Sequence, residues 1–395
     1  MIKRTLGQIA NMLGGEISDP SKENIFIEGI STDSRTISPA NLYIPLIGEV
    51  FDGRIFIKEC ENKGAAAFLI NKDYEINKNI NIPYIIVDDT SKALRNLATA
   101  YRNELDIKII GITGSNGKTT TKDLLESTLK EKYKVQKTMG NLNNEIGVPK
   151  TILSLDEDTE IGIIELGTDN FGDIALTTRI AQPDIAAILN IGDSHLHNLK
   201  TREGIAKAKM EITEGLSEDG IFIYNLDDPV LKKIVPNYDL KQKVLTFASS
   251  EDADFVITPV KNDSSGVKFK HGDTTFSVPL LGDHQIYNGG ITAMIAQILD
   301  LSDDQIKDGL QKVKGSHNRS ALLELNGFDI LDDSYKSNPQ ALEIFPKNRV
   351  FYFENKADVC DKLKQLVTKS SLIFVKGSHG MHMEEIIECV RTLKI

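Results

Sequence analysis

The apolar positions of this chain follow two rhythms that alternate along most of its length. Short runs of isoleucine, valine and leucine, bounded by glycine or polar turns, predict buried strands. Stretches with apolar residues three and four apart predict helices. The first such stretch predicts a helix over Thr5–Leu13, ended by Gly14-Gly15. Strands at Ile25–Ile30 and Leu42–Ile47 and a helix at Ser91–Arg102 complete a small α/β unit, residues 1–104. From Leu105 to Lys314, strands at Ile107–Ile112, Ile161–Ile164, Ile185–Ile191 and Gly220–Tyr224 alternate with helices at Lys122–Lys130 and Ile205–Leu216. Nearly continuous apolar strands alternating with helices predict a mostly parallel sheet covered on both faces.

The rhythm changes after Phe247. Phe255–Pro259, Val267–Lys270 and Thr274–Val278 read as short strands joined by polar turns, an antiparallel patch. Helices are predicted at Gly289–Leu299 and Ser302–Lys312, with Ser302 as N-cap. In the last stretch, strands at Phe328–Leu331, Arg349–Phe353 and Leu372–Val375 flank helices at Ala357–Leu366 and Met383–Leu393. The fold class is therefore α/β in three domains: 1–104, a central 105–314 and a small 315–395.

The most informative junction lies where the strand Ile107–Ile112 meets the helix that follows it. The linking residues include Gly114, Ser115, Asn116, Gly117, Lys118, Thr119 and Thr120. Glycines let a backbone curl until its N–H groups converge on phosphate oxygens. A helix start adds its dipole and its free N–H groups. Lys118 is placed to reach β- and γ-phosphates, and the Thr119 hydroxyl to hold Mg²⁺. The strict phosphate-loop pattern wants a glycine where Ile112 stands, so this loop is a variant.

Composition narrows the partners. The net charge is −11, without a long basic run, which argues against nucleic acid as the main partner. A phosphorylated substrate needs only a local positive site. Cys60, Cys360 and Cys389 are too scattered for a disulfide framework or a metal pattern, which fits a reducing cytoplasm. No run approaches the ~20 apolar residues of a membrane span, and the N-terminus lacks the apolar core of a signal peptide.

Other polar residues fall near the same sheet edge. Asn141, Asn143 and Asn144 crowd one turn, which serves either its own backbone or a ligand. Glu165 ends a parallel strand, where carboxylates face ligands and suit Mg²⁺. His195 follows another strand and reads equally as structural or functional. Lys209 reads as a solvated lysine on a helix face. Ser31, Thr32, Ser34 and Arg35 form a polar run that, taken alone, is a solvated turn.

Together these residues resemble the Mur ligase family, ATP-dependent enzymes that build the peptide of bacterial cell-wall precursors. The resemblance rests on Thr113-Gly-Ser-Asn-Gly-Lys-Thr-Thr120, Gly140-Asn-Leu-Asn-Asn-Glu-Ile-Gly-Val-Pro149, Glu165-Leu-Gly167 and Asn190-Ile-Gly-Asp-Ser-His195. It continues through Arg202 to Lys209, Gly282-Asp-His284 with Asn288, Asp332-Asp-Ser-Tyr335 and Lys376-Gly-Ser378. The Asn-rich and Asp-Asp-Ser-Tyr elements look most like the branch that joins D-Ala-D-Ala to a UDP-N-acetylmuramoyl tripeptide. The resemblance implies a first domain that holds the UDP-sugar peptide, with Ser31–Arg35 and the asparagines as contacts. It implies a central ATP domain and a Rossmann-like third domain that closes over both. Lys118, Glu165, His195 and Lys209 would be catalytic, with Thr119, Glu165, His195 and Lys209 around Mg²⁺ and Lys209 carbamylated. His284, Asn288 and Asp333 match positions near adenine and ribose, and Arg319 one that reaches the phosphates. The expected partners are a UDP-N-acetylmuramoyl peptide and D-Ala-D-Ala or another amine, for a cytoplasmic monomer.

Three features depart from the family pattern. Lys336 replaces an asparagine in Asp332-Asp-Ser-Tyr-Lys-Ser-Asn-Pro339. The usual Glu-Met-Gly-Met becomes Glu165-Leu-Gly-Thr168, followed by Asp169. The third domain is shortened, because the chain runs almost directly from Leu342 to the Arg349–Phe353 stretch. Three functions stay open at this level: the muropeptide ligase, a ligase of the same type with another amine or acid, and a non-catalytic nucleotide binder.

Overall fold

The computed structural model of the chain describes residues 1–313 apart from 78 and 264, and beyond them 321–324, 329–333, 353, 355–369, 371–377 and 381–392. The side chains of 321–324, 331–333, 372 and 376 are outside that description. Among the described residues the strands form five sheets, and three of them mark three successive stretches of the chain. The first has five strands, in the order Glu16–Ile17, Tyr84–Val87, Ala67–Asn71, Leu42–Tyr43 and Ile30–Ser31. It is parallel except at Glu16–Ile17.

The second sheet carries the phosphate-type loop. Its seven strands run Phe255–Val256, Lys243–Ala248, Ile221–Asn225, Ile185–Ile188, Lys108–Thr113, Ile161–Glu165 and Val135–Lys137. Every pairing in it is parallel. The strand Lys108–Thr113 leads through the loop to the far edge, and the chain then returns to fill both sides. It therefore marks the point where strand order reverses, which is where open α/β sheets bind ligands. The expected antiparallel patch is corrected in one respect. Phe255–Val256 joins the parallel sheet, and only Thr258–Asp263, Gly266–His271 and Thr274–Val278 form the antiparallel one. The unbroken apolar run across Val256-Ile257 hides the crossing.

The helix after the loop spans Lys118–Leu129, a turn earlier than the apolar period suggested. Gly117 turns the chain with φ +84°, so Lys118 is already the first helical residue. The helix packs against His284–Ile298 and Asp303–Gln311. Ser302 caps the latter as expected, in a capping box with Gln305. Gly309 permits the close crossing, since a Cβ there would stand 2.3 Å from Thr128 Cα.

The first sheet is fastened to the second. The helix Thr90–Glu104 sends Leu94, Leu97 and Tyr101 into one apolar cluster with Ile152, Leu153 and Leu155. The Tyr101 hydroxyl donates to the Leu155 carbonyl at 2.8 Å, and Arg102 donates to the Ala181 and Gln182 carbonyls.

The third sheet pairs Ala321–Glu324 antiparallel with Asp329–Asp333, and the latter parallel with Leu372–Lys376. Ile330 and Val375 pack with Ile386, Ile387 and Val390 of the helix Glu384–Arg391. That helix and Lys356–Leu366 are linked by a Cys360–Cys389 disulfide, with Cα atoms 6.2 Å apart. This corrects the reading of scattered cysteines, because packing of the two helices, not sequence spacing, brings the sulfurs together. The Arg349–Phe353 strand falls almost wholly outside the described residues.

Replacing Gly309 by Ala should force the loop helix and its neighbour apart. The expected loss is about 1–3 kcal/mol, as for other overpacked cores. Urea unfolding of the variant against the parent measures it, and an unchanged midpoint would show that the crossing gives way without cost.

Candidate active site

The loop is held by its neighbours before any ligand enters. Asn190, just past the strand Ile185–Ile188, accepts from the Asn116 N–H at 2.9 Å and donates to the Asn116 carbonyl at 3.1 Å. Ser115 Oγ accepts from the Gly192 N–H at 2.8 Å. A Cβ on Gly117 would lie 2.6 Å from Asn288 Oδ1, so glycine is required there for space as well as for φ. No side chain caps the helix at Gly117. Its first N–H groups have no intrahelical partner, and with the dipole they form an anion site. Lys118 folds over the loop, its Nζ donating to the Gly114 carbonyl at 2.6 Å.

Glu165 is the centre of the polar network. Its carboxylate is almost wholly buried and is met from the loop helix and from the Asn-rich turn. Thr119 Oγ1 donates to one oxygen at 2.9 Å, and Lys122 Nζ lies 3.2 Å from the same oxygen. Asn143 Nδ2 donates to the other oxygen at 2.9 Å. The Thr138 hydroxyl accepts the Glu165 N–H, and the Gly140 carbonyl takes Lys122. Burial alone would push the acid up. The charges of Lys118 and Lys122, with the bonds from Asn143 and Thr119, outweigh it and hold the acid below its ordinary value. Gly167 lets Asn143 approach, because a Cβ there would meet Asn143 Cγ at 2.9 Å.

The structure thus brings Gly114, Ser115, Asn116, Gly117, Lys118, Thr119, Asn143, Glu165 and Asn288 into one neighbourhood. Asn288 is buried beneath the loop, with its side chain engaged by Thr121 and Gln285. His284 starts the same helix and is exposed, and Thr120 is half-buried on the loop helix. Asn144 caps the next helix by accepting from the Ile146 and Gly147 N–H groups, and Asn141 is exposed. His195 sits in left-handed backbone at φ +63°, and its Nδ1 lies 2.7 Å from Asp169 Oδ1. Lys209 is 1% exposed near the end of the helix Arg202–Met210, which corrects its reading as a solvated lysine.

In the first sheet, Ser31 and Ser34 are buried. Ser31 Oγ bonds the Asp33 carbonyl and the Thr36 hydroxyl, and the Ser34 carbonyl accepts from Lys63. Arg35 pairs with Asp33 and, with its own N–H, draws that acid down to about 2. Thr32 is half-buried beside them. Much of this run's hydrogen bonding serves its own turn. Asp333 closes its strand in register with Lys376, so two of the quoted motifs end side by side at one sheet edge. Arg319 and Lys336 lie outside the described residues.

Lys122, Thr138, Asn190 and Asp169 were not singled out as site residues from the sequence. Lys122 was legible, because it stands one helical turn after Lys118. Thr138 carried no local signal, and Asp169 was marked only as following a departure from the family pattern.

The donor set fits a magnesium ion. A threonine hydroxyl beside a carboxylate offers hard oxygens, and magnesium usually takes few protein ligands and completes its shell with phosphates and water. Among the described residues no three His, Cys, Asp or Glu side chains gather as a metal group.

Lys122→Met should unbalance Glu165. Breaking a buried pair costs about 3–5 kcal/mol. The depressed acid contributes stability above the ordinary carboxylate range and loses it as pH falls through its folded value. The variant should therefore lose stability at higher pH than the parent. Denaturant unfolding across pH tests this, and Glu165→Gln in the same chain should recover part of the loss.

Known proteins resemble this chain in sequence and in fold. A profile of the Mur ligase middle domain matches residues 112–297, and one of the Mur ligase family, catalytic domain, matches 26–102. The UDP-N-acetylmuramoyl-tripeptide–D-alanyl-D-alanine ligase of Bacillus subtilis is 34% identical over 455 positions, covering 98% of both chains. The enzyme of that name from Buchnera aphidicola subsp. Baizongia pistaciae is 39% identical over 324 positions, covering 81% of this chain and 70% of its own. A crystal structure of MurF from Acinetobacter baumannii superposes with TM-score 0.91 over all of both chains, at 24% identity, a likeness of fold. MurF ligase from Thermotoga maritima in complex with ADP superposes with TM-score 0.79 at 26% identity, covering 92% of this chain and 97% of its own. A phosphate-type loop in this setting, matched nearly end to end by the Bacillus enzyme, places the chain in the Mur ligase family, in its MurF branch.

Proposed function

We propose that this chain is the ATP-dependent, ADP-forming ligase that joins D-Ala-D-Ala to a UDP-N-acetylmuramoyl tripeptide in peptidoglycan precursor synthesis. The observation that carries the reading is the buried Glu165 carboxylate set against an uncapped helix start, with Thr119 and Lys122 on it and Lys118 over the loop. That is a place for a nucleotide's phosphates, and the choice of acid and amine follows the relatives' names.

The terminal carboxylate of the tripeptide attacks the γ-phosphorus, the bond to the bridging β-oxygen breaks, and ADP leaves. The dipeptide amine then adds to the acyl carbon, loses a proton, and the tetrahedral intermediate expels phosphate. Little of this is covalent work for the protein, whose part is positioning and charge neutralisation. Lys118 exchanges the Gly114 carbonyl for phosphate oxygens. Thr119 and Glu165 would hold magnesium, which would supply charge neutralisation at the phosphates. Asn143 and Lys122 keep Glu165 ionised and aimed. His195 is a further ligand on this reading, and a carbamate on Lys209 would add a hard oxygen donor from a position hidden from bulk water.

Residues 1–104 hold the UDP-sugar peptide, with Ser31, Thr32, Ser34, Arg35, Asn141, Asn143 and Asn144 as contacts. Residues 105–314 hold ATP, with His284 and Asn288 on the nucleoside side. Residues 315–395 close over both, bringing Arg319 and Asp333. The enzyme works as a monomer in the cytoplasm. Among the described residues no helix is long and apolar enough to cross a membrane.

A second reading, the same chemistry on a different amine, is favoured by one observation. The match to the Bacillus enzyme runs over 455 positions, whereas this chain has 395 residues, so at least 60 positions have no counterpart here. We place most of them after Pro339, in the part that closes on the amine. Phosphate release and amide formation, followed together over a panel of amines, separate the two readings. Tight coupling with D-Ala-D-Ala supports the first, and tight coupling with another amine alone supports the second.

Lys118→Ala should lower ATP turnover by about 10³-fold or more, since it removes the charge at the β/γ-phosphates. Near-normal turnover would sink the phosphate-loop reading. Lys209 should take up ¹³C-bicarbonate as a carbamate signal that is absent in Lys209→Ala, and that variant should lose most activity. A parent enzyme without the signal would remove the carbamate from the scheme and leave the rest standing.

A further inference from the structure

The loop strand Lys108–Thr113 lies between the strands Ile185–Ile188 and Ile161–Glu165. The two segments that leave the carboxyl ends of these flanking strands are bridged by Asp169 Oδ1 and His195 Nδ1 at 2.7 Å. The bridge therefore crosses the end of the sheet where the phosphate loop begins.

Both partners are fixed independently of the bridge. The Asp169 and Asn170 N–H groups donate to Asp173 Oδ2 at 2.8 and 2.7 Å, at the first residue of the helix Asp173–Ala181. Glu211 holds the start of that helix, accepting from the Gly172 and Ala175 N–H groups at 2.8 and 3.1 Å. On the other side, Asp193 is gripped by Arg202 through two bonds of 2.7 and 2.8 Å. The His195 carbonyl accepts from the Asn198 and Leu199 N–H groups at 3.1 and 3.0 Å. His195 is not a glycine, yet it holds φ +63°. Such backbone costs about 1–3 kcal/mol and persists where the surroundings over-determine it, often at functional sites.

The pair contributes little as a stability element. Its side chains are 28% and 70% exposed, and exposed ion pairs are worth about 0–1 kcal/mol. Its consequence is geometric. A carboxylate on Nδ1 fixes the tautomer with the proton there, leaves the lone pair on Nε2, and sets the ring's heading. Asp169 also stands just where this chain departs from the family pattern, after Thr168.

We propose that Asp169 is a positioning residue that orients His195, so that its Nε2 is presented towards the magnesium–nucleotide complex. This rests on the ligase reading above and on His195 as a metal-facing residue.

The test uses the full-length enzyme with ring-¹⁵N histidine, and a magnesium titration with a non-hydrolysable ATP analogue. His195→Ala assigns the ring signals. In the parent, His195 should show the Nδ1–H tautomer. Asp169→Ala should lose that signature and raise the half-saturating magnesium concentration about tenfold, the lower end of what outer-shell partners contribute. Asp169→Asn keeps an acceptor and should show a smaller rise, which also serves if the alanine variant fails to fold. Asp169→Ala combined with His195→Ala should require no more magnesium than His195→Ala alone. The proposal is overturned, with the ligase reading intact, if His195→Ala raises the magnesium requirement and Asp169→Ala does not. If His195→Ala itself leaves the requirement unchanged, His195 does not face the metal and the proposal falls with that assignment.

Discussion

A carboxylate taken out of water must be paired or it takes up a proton. Glu165 meets that demand with Thr119, Lys122 and Asn143, and the site is organised by the way it does so. The three partners come from the first and second turns of the loop helix and from the Asn-rich turn, while the acid itself ends a strand. One buried group thereby sets the helix start against the sheet edge. The same charge leaves two hard oxygen donors together at the mouth of the phosphate loop. The constraint is electrostatic: the buried charge must be met wherever the chain places it.

The loop is pre-shaped by a different kind of force. Asn190 copies the hydrogen bonds of a neighbouring strand onto Asn116, and Asn288 packs where a side chain on Gly117 would have to go. These contacts hold the loop open as a concave run of backbone without ligand. Beneath it, the shared apolar cluster that joins Leu97 and Tyr101 to Ile152 and Leu155 makes the first two sheets one platform. On the proposed function, such a platform is what would keep a substrate carboxylate and a nucleotide at the fixed separation that in-line transfer needs.

Several residues change meaning once the chain is folded. Lys209 is buried, although its helix reads as solvated over Ala206-Lys-Ala-Lys209. Asn288, matched to a nucleoside position by resemblance, touches the loop glycine. Ser31 to Arg35 spend most of their bonding on their own turn. Cys360 and Cys389 are joined across two helices that no spacing rule would pair. In each instance the deciding contact comes from another element.

The amino-acid order alone determined the alternation of strands and helices, the parallel character of the central sheet, and the loop with Gly117, Lys118 and Thr119. Those features are local: period, glycine placement and a helix start are written within a few residues of one another. It also pointed to Glu165, because a carboxylate at a parallel strand's end has a known side of the sheet to face. The tertiary structure decided which partners those residues meet. Lys122 and Asn143 reach Glu165 across 43 and 22 positions, as Asp169 reaches His195 across 26, from elements whose adjacency is set by strand order. Strand order depends on how whole faces bury against one another, and no short window of sequence contains that information.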